Sequence, residues 1–181
     1  VRIITPKDKE AFQIGLDMGI VNFSLSFTNS PKDVKQVRDI IGKDVNLISK
    51  IESIKGLLNL GEIWPLVDQI LIDRGDLSRE VDIEKIPFIQ RMIISLSKSQ
   101  DTPVFVATNL LESMIKSSSP TRAEANDVAS TLLMGASGLV LAADTAICDH
   151  PIGAVKMINL IINQYSNWTP KSSFTDIIFK D

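Results

Sequence analysis

The sequence contains little cysteine and little histidine, since Cys148 and His150 are the only residues of their types among 181. A single cysteine excludes an intramolecular disulfide framework and is compatible with a reducing compartment, so we expect a cytoplasmic location. No basic residue lies beside Cys148 in the sequence, which indicates an inert small side chain rather than a nucleophile. His150 directly precedes Pro151 and is interpreted as a turn or N-cap residue rather than a ligand.

The sequence also lacks an excess of positive charge and a long apolar run. Its formal net charge is −3, its pI is near 5.2, and no basic stripe with interleaved aromatic residues occurs, which argues against nucleic-acid binding. The longest uncharged stretch, Val128 to Ala143, is interrupted by glycine and serine and is too short for a bilayer, so we expect no membrane span. The length and composition fit one globular domain, and a first residue of Val1 rather than Met indicates a processed product or part of a longer protein.

Helix signals and strand signals alternate along the chain. Thr5-Pro6 and Ser30-Pro31 are typical helix starts, with an N-cap residue followed by proline at the first helical position. Thr121 with Glu124 forms a predicted capping box that opens a helix ending near residue 134. The alternation predicts an α/β fold with a parallel sheet and right-handed crossovers. We predict strands near residues 20–27, 48–52, 70–72, 102–109 and 137–143.

Polar residues follow every one of these predicted strands, where the chemistry of parallel α/β folds gathers. Lys50 and Glu52 are two residues apart, so an extended backbone projects both side chains to one face. Asp76 follows the next strand and could complete a pair of hard oxygen ligands of the kind that Mg²⁺ takes. A solvated or salt-bridged Lys50-Glu52 pair and a simple Arg-Gly-Asp turn remain the alternative interpretation. The other strand ends carry Ser26 to Thr28, Thr108 with Asn109, and Asp144 with Thr145.

Four segments closely resemble pyruvate kinase, and they occur in that family's order and spacing. They are residues 48–52 and 73–77, residues 107–115 with the sequence Leu-Glu-Ser-Met, and residues 120–129 with the sequence Pro-Thr-Arg-Ala-Glu. The resemblance covers roughly residues 3–164 and corresponds to strands four to eight of the family's (β/α)8 barrel. It implies a partial TIM-barrel domain over residues 1–164, followed by a carboxy-terminal tail of unknown role over residues 165–181.

The resemblance implies roles for particular side chains. Lys50 would match the catalytic lysine that neutralises the transferring phosphoryl group and the developing enolate. Glu52 and Asp76 would match the ligands of the divalent metal, Mg²⁺ or Mn²⁺. Arg74 and Gly75 would bind the substrate carboxylate through their peptide N–H groups.

The resemblance also implies two positions beyond these. Thr108 would match the catalytic and substrate-binding hydroxyl near the enolate methylene carbon, linked to its protonation. Ser26 is a weaker candidate for the wall of the site.

The chain departs from the family pattern at several points. The family usually has a small apolar residue where Asp73 stands, and a lysine on the nucleotide side where Ile147 stands. The family's first three barrel strands, which carry the K⁺ ligands and an arginine for the phosphoryl group, have no counterpart in this sequence, so K⁺ is expected only from the family. The small domain that closes over nucleotide and the carboxy-terminal regulatory domain have no counterpart either.

The resemblance therefore predicts a phosphotransferase of glycolysis that transfers a phosphoryl group from phosphoenolpyruvate to ADP, giving pyruvate and ATP. Strands four to eight alone would leave two open sheet edges, so we expect the remaining barrel half to be supplied in cis or in trans and this chain to be inactive by itself. A homotetramer would follow from the family. The alternative is a non-catalytic relative that serves as a binding or assembly module; Asp73 and Ile147 favour this alternative, whereas the intact Lys50, Glu52, Asp76 and Thr108 disfavour it.

Overall fold

The structure is a computed structural model that describes residues 4–179, and these fall into two compact units divided between Val106 and Ala107. The first unit alternates strands with helices from its amino-terminal end. Its helices are α1 (Pro6–Asp17), α2 (Pro31–Ile41), α3 (Ile54–Leu58), α4 (Leu60–Ile63), a 3₁₀ turn (Trp64–Leu66), α5 (Arg74–Leu77) and α6 (Ile86–Gln100). Its strands are β1 (Asn22–Leu25), β2 (Asn46–Ile51), β3 (Gln69–Asp73) and β4 (Val104–Ala107), of which the last residue already belongs to the second unit.

The predicted helix starts in the first unit are confirmed, with one correction to a helix break. Thr5 caps α1 through a capping box with Asp8, and Pro6 occupies the first turn as predicted. Gly61 and Pro65 predict breaks in a short helix over residues 55–66, but Gly61 lies inside α4 and the chain turns at Asn59 instead. The Arg-Gly-Asp segment, for which a turn was the simple alternative, forms the short helix α5 capped by Asp73.

The strands of the first unit pair in parallel, as the alternation predicts. β1 pairs with β2 from Asn22 opposite Asn46, and β2 pairs with β3 from Ile48 opposite Gln69. Side chains on the helix-facing side of β2 and β3 are fully buried, which anchors the sheet beneath its helices. These side chains are Leu47, Ile51, Ile70 and Ile72. The parallel direction places the carboxyl ends of β2 and β3 at one edge of the sheet.

The second unit packs its helices around a small core of its own. It contains a 3₁₀ turn (Glu112–Ile115), α7 (Arg122–Met134), β5 (Gly138–Val140), α8 (Ala143–Ala146), α9 (Pro151–Asn167) and α10 (Phe174–Phe179). The core residues are Leu110, Leu111, Met114, Val128, Leu132, Ala154 and Ile158. The predicted capping box of α7 is confirmed by the mutual hydrogen bonds of Thr121 and Glu124.

The last strand differs from the sequence prediction in its bounds. β5 is shorter than predicted, because residue 143 already begins α8. α9 extends to Asn167, and α10 forms within the predicted tail, where Ser173 and Asp176 bond each other across its first turn. Residues 180–181 of that tail lie outside the described part of the chain. Across residues 4–179, none of the helices combines the length and the hydropathy needed to span a bilayer.

Candidate functional site

Lys50 lies at the carboxyl end of β2, surrounded by acidic groups. Its Nζ is 2.6 Å from Glu52 Oε1, 3.2 Å from Asp73 Oδ2 and 3.5 Å from Ser26 Oγ. Partial burial alone would lower the pKa of Lys50, but the hydrogen bonds and negative charges of Glu52 and Asp73 outweigh burial and raise the pKa above its usual value. The side chain therefore carries a fixed positive charge at neutral pH.

Glu52 follows β2 directly and is almost fully buried, with 1% of its side chain exposed. Its Oε2 accepts a hydrogen bond of 2.5 Å from the peptide N–H of Phe27, in the turn after β1. Phe27 adopts a left-handed backbone with φ of 49°, which is uncommon for a residue with a bulky side chain. The turn is thereby held against the end of β2, and the Glu52 carboxylate is fixed from two sides, by Phe27 and by Lys50.

Three carboxylates converge at this edge of the sheet. Glu52, Asp73 and Asp76 each present an oxygen atom, and these oxygen atoms all lie within 4.8 Å of one another. Asp73 ends β3, and its carboxylate accepts the peptide N–H of Asp76 at the start of α5. Two positively charged side chains contact the cluster: Lys50 contacts Glu52 and Asp73, and the largely exposed Arg79 lies 3.3 Å from Asp76 Oδ1. Such a group of hard oxygen atoms could hold a divalent cation.

Arg74 and Gly75 form the first turn of α5, immediately after Asp73. The Arg74 guanidinium reaches Gln90 Oε1 on α6 at 3.5 Å. Peptide groups in a first helical turn point their N–H bonds out of the helix end, where anions bind. The predicted substrate-binding residues of this segment therefore adjoin the carboxylate cluster.

A network of polar contacts fixes the loops that follow β1 and β2. The Ser53 hydroxyl donates to Asn29 Oδ1 and accepts from Gly56 N at 3.0 Å, while Asn59 Nδ2 donates to Asn29 O at 2.7 Å. Gly56 packs so closely that an added Cβ would lie 2.6 Å from Thr28 O. The rim beside Glu52 is therefore a tightly packed part of the first unit.

Thr108 belongs to the second unit, where it directly follows β4. It adopts a left-handed backbone with φ of 68°, and Asn109 after it does the same with φ of 53°. The Thr108 hydroxyl donates to Ala107 O at 2.6 Å. Within this unit, the buried Asp144 carboxylate accepts N–H bonds from Leu111 at 3.3 Å and from residue 142 at 3.2 Å, which ties the start of α8 to the segment after Thr108.

The structure brings together the predicted Lys50, Glu52, Arg74, Gly75 and Asp76 at one edge of the first unit. Two contributors to that edge had no role assigned from the sequence. Asp73 was visible only as a departure from the family pattern, and its position at the end of β3 was the available signal. Phe27 contributes through its backbone, and no sequence pattern indicates a left-handed phenylalanine.

The chain is similar to a family model and to several known proteins. Residues 1–155 match the family model described as the barrel domain of pyruvate kinase. The chain is 42% identical to the pyruvate kinase of Thermotoga maritima over 167 residues, which cover 91% of this chain and 36% of that protein. It is 39% identical to the pyruvate kinase of Mycobacterium tuberculosis over 162 residues, covering 88% of this chain and 34% of that protein.

The pyruvate kinase of Dictyostelium discoideum is 40% identical over 164 residues, covering 89% of this chain and 32% of that protein. The chain thus spans about a third of the length of the curated relatives it matches. The barrel-domain match and the alternating strands and helices confirm the predicted fold class, an α/β chain of the (β/α)8 barrel type. The chain belongs to the pyruvate kinase family.

Proposed function

We propose that this chain supplies the metal and phosphoenolpyruvate side of a pyruvate kinase, which transfers a phosphoryl group to ADP and releases pyruvate and ATP. The observation that carries the proposal is the contact of Lys50 with two members of a three-carboxylate cluster at the carboxyl edge of a parallel sheet. The rest of the barrel, in cis or in trans, and a homotetrameric assembly are part of this proposal.

The carboxylate cluster fits a divalent cation, Mg²⁺ or Mn²⁺. Mg²⁺ binds oxygen at about 2.1 Å, so two of its ligands lie at most about 4.2 Å apart. The oxygen atoms of Glu52, Asp73 and Asp76 need only a small side-chain adjustment to reach that spacing from their present separations within 4.8 Å. We assign Glu52 and Asp76 as ligands. When bound, the cation supplies Lewis-acid stabilisation of negative charge on the substrate oxygens.

Lys50 provides the main electrostatic contribution of the protein to phosphoryl transfer. Its ammonium is held by Glu52 and Asp73 and stays protonated at neutral pH, so it can stabilise the phosphoryl group and the charge that develops on the leaving enolate. Arg74 and Gly75 orient the substrate by binding its carboxylate through peptide N–H groups. Thr108 is assigned to the delivery of a proton to the enolate carbon, on the strength of the family resemblance.

A second candidate function is a non-catalytic binding or assembly module. The observation that favours it is Asp73, which ion-pairs with the Lys50 ammonium at 3.2 Å and so competes with an incoming phosphoryl group. In this alternative the chain still binds the metal but does not catalyse phosphoryl transfer.

A coupled turnover assay on the chain with and without the missing barrel half tests the proposal. We expect turnover only in the complemented assembly, and we expect Lys50→Met to reduce kcat by at least about 100-fold because a fixed charge at the transition state is lost. Lys85→Met is the matched control, because Lys85 is exposed and pairs only locally with Asp82. Metal-dependent phosphoenolpyruvate binding without turnover in the complemented assembly would favour the module.

A further inference from the structure

Asp73 is the residue at this edge that departs from the family pattern. It ends β3, its side chain is 10% exposed, and its Oδ2 lies 3.2 Å from Lys50 Nζ. Its carboxylate also belongs to the group of oxygen atoms formed by Glu52 and Asp76. We propose that Asp73 is a third carboxylate ligand of the divalent cation. It increases the affinity of the site for the cation, so that the cation binds before the anionic substrate. This inference rests on the proposed function, because it takes Glu52 and Asp76 as the other ligands.

The charges at the cluster support this role. Asp73 adds a third carboxylate to Glu52 and Asp76. The positive partners of these groups are Lys50 and Arg79, and Arg79, which lies 3.3 Å from Asp76 Oδ1, is 79% exposed and can move away when a cation binds. The affinity of an oxygen-ligand site for divalent cations rises with the number of charged ligands. Glu52 and Asp73 are both buried, so water screens their charges little. The third carboxylate therefore strengthens cation binding in this chain.

The position of Lys50 supports the same conclusion. Its ammonium neutralises Glu52 and Asp73 together, at 2.6 Å and 3.2 Å. A cation on the carboxylates would take over that neutralisation and leave the ammonium to the phosphoryl group. Asp73 therefore makes binding sequential, in that the cation binds first and the anionic substrate binds second.

The competing explanation is that Asp73 only caps α5. Its carboxylate accepts the Asp76 peptide N–H at 3.5 Å, which is a long contact. Asparagine caps helices as well as aspartate does. Asp73→Asn therefore keeps the cap and removes the charge, which separates the two explanations.

The test is a titration of the full chain with Mn²⁺, in which free Mn²⁺ is followed by electron paramagnetic resonance without substrate. We expect Asp73→Asn to weaken Mn²⁺ binding about tenfold, within the range that loss of a supporting group at a metal site causes. Asp82→Asn removes the same charge from an exposed position and should leave Mn²⁺ affinity unchanged. Glu52→Gln should weaken binding as well, because it removes an assigned ligand.

The outcomes distinguish the two levels of inference. Unchanged Mn²⁺ affinity in Asp73→Asn together with weakened binding in Glu52→Gln would overturn the role of Asp73 and leave the proposed metal site standing. Unchanged affinity in both variants would overturn the metal site itself. Circular dichroism checks that each variant folds, and Asp73→Ser, which keeps a capping hydroxyl, replaces Asp73→Asn if that variant does not fold.

Discussion

Ser113 and Glu124 join the two most family-specific motifs of the chain through a pair of hydrogen bonds. The Ser113 peptide N–H donates to Glu124 Oε1 at 2.7 Å, and the Ser113 hydroxyl donates to Oε2 of the same carboxylate. Glu124 also accepts from the N-cap residue Thr121 at the start of α7. One carboxylate therefore both caps a helix and holds the Leu-Glu-Ser-Met turn against it.

Glu124 should make the stability of the second unit depend on pH. Desolvation raises the pKa of Glu124, but the hydrogen bonds from Ser113 and Thr121 outweigh it and lower the pKa below its usual value. A lowered folded-state pKa means that the stabilisation is present above the unfolded carboxyl pKa of about 4.3 and is lost as the pH falls through the folded value.

Glu124→Gln should therefore lower the free energy of unfolding at pH 7 by about 1 kcal/mol, after allowance for the partial exposure of the carboxylate. The difference from the unaltered chain should shrink below about pH 4. Urea unfolding at pH 7 and at lower pH measures both effects. Ser113→Ala, which keeps the peptide N–H bond, should cost less, and a pH-independent difference would contradict this account.

Gly56 should be intolerant of even one added methyl group. An alanine Cβ there would lie 2.6 Å from the backbone oxygen of Thr28, which cannot move without disturbing the turn that holds Glu52. We expect Gly56→Ala to destabilise the chain by about 1–3 kcal/mol. Gly61→Ala is the matched control, since a Cβ there meets nothing within 4 Å, and it should be neutral or stabilising by up to about 1 kcal/mol. Equal melting temperatures for the two variants would show that the packing at Gly56 yields without cost.

Removing the Lys50 charge should make folding depend on divalent metal. Lys50→Met leaves the buried Glu52 carboxylate without its cation, and we expect a loss of about 2 kcal/mol, which is below the cost for a fully buried pair because Lys50 is 22% exposed. The raised pKa of Lys50 places its full stabilising contribution below the unfolded lysine pKa of about 10.4, and that contribution is lost as the pH rises through the folded value.

Thermal unfolding of Lys50→Met at pH 7 with and without Mg²⁺ measures this effect. The cation should raise the melting temperature of the variant more than that of the unaltered chain, because it replaces the missing positive charge. Lys85→Met should behave as the unaltered chain does, since its ion pair with Asp82 is exposed. An equal response to Mg²⁺ in all three proteins would count against a cation at the carboxylate cluster.

Arg38 should matter far more to stability than its exposed counterpart Arg79. The Arg38 guanidinium donates to Val45 O at 2.8 Å and to Leu66 O at 3.4 Å, and it pairs with Asp68 at 2.5 Å. Arg38→Ala should therefore cost about 1–3 kcal/mol, because several backbone carbonyls lose their donor. The Arg79 side chain is 79% exposed, so Arg79→Ala should change stability by no more than about 0.5 kcal/mol. Chemical denaturation of both variants checks the contrast.

Local sequence rules predicted most of the fold because they act within a few residues. The N-cap at Thr5 and the capping box at Thr121 were predicted, since each depends on hydrogen bonds within one helical turn. The break at Asn59 was not predictable, because Asn59 turns there to donate to the Asn29 carbonyl from a loop thirty residues earlier in the chain. Contacts of that separation leave no local pattern.

The candidate site also contains contacts that local spacing predicts and contacts that depend on distant parts of the chain. Lys50 and Glu52 share a face because alternate residues of a strand always do, so their proximity followed from spacing alone. The contacts of Asp73 with Lys50 and of Phe27 with Glu52 depend on the register between strands and on a left-handed turn. Neither the strand register nor the left-handed turn can be predicted from residue type.

The polar network of Asn29, Ser53 and Asn59 has a consequence for dynamics. Because the loops after β1 and β2 are hydrogen-bonded to each other, they lose much of their conformational entropy when the chain folds. Peptide groups in these loops should exchange with deuterium as slowly in the free chain as in the metal-loaded one. Ligands would thus encounter a rigid rim whose shape is set at folding, and selectivity would arise from charge more than from loop closure.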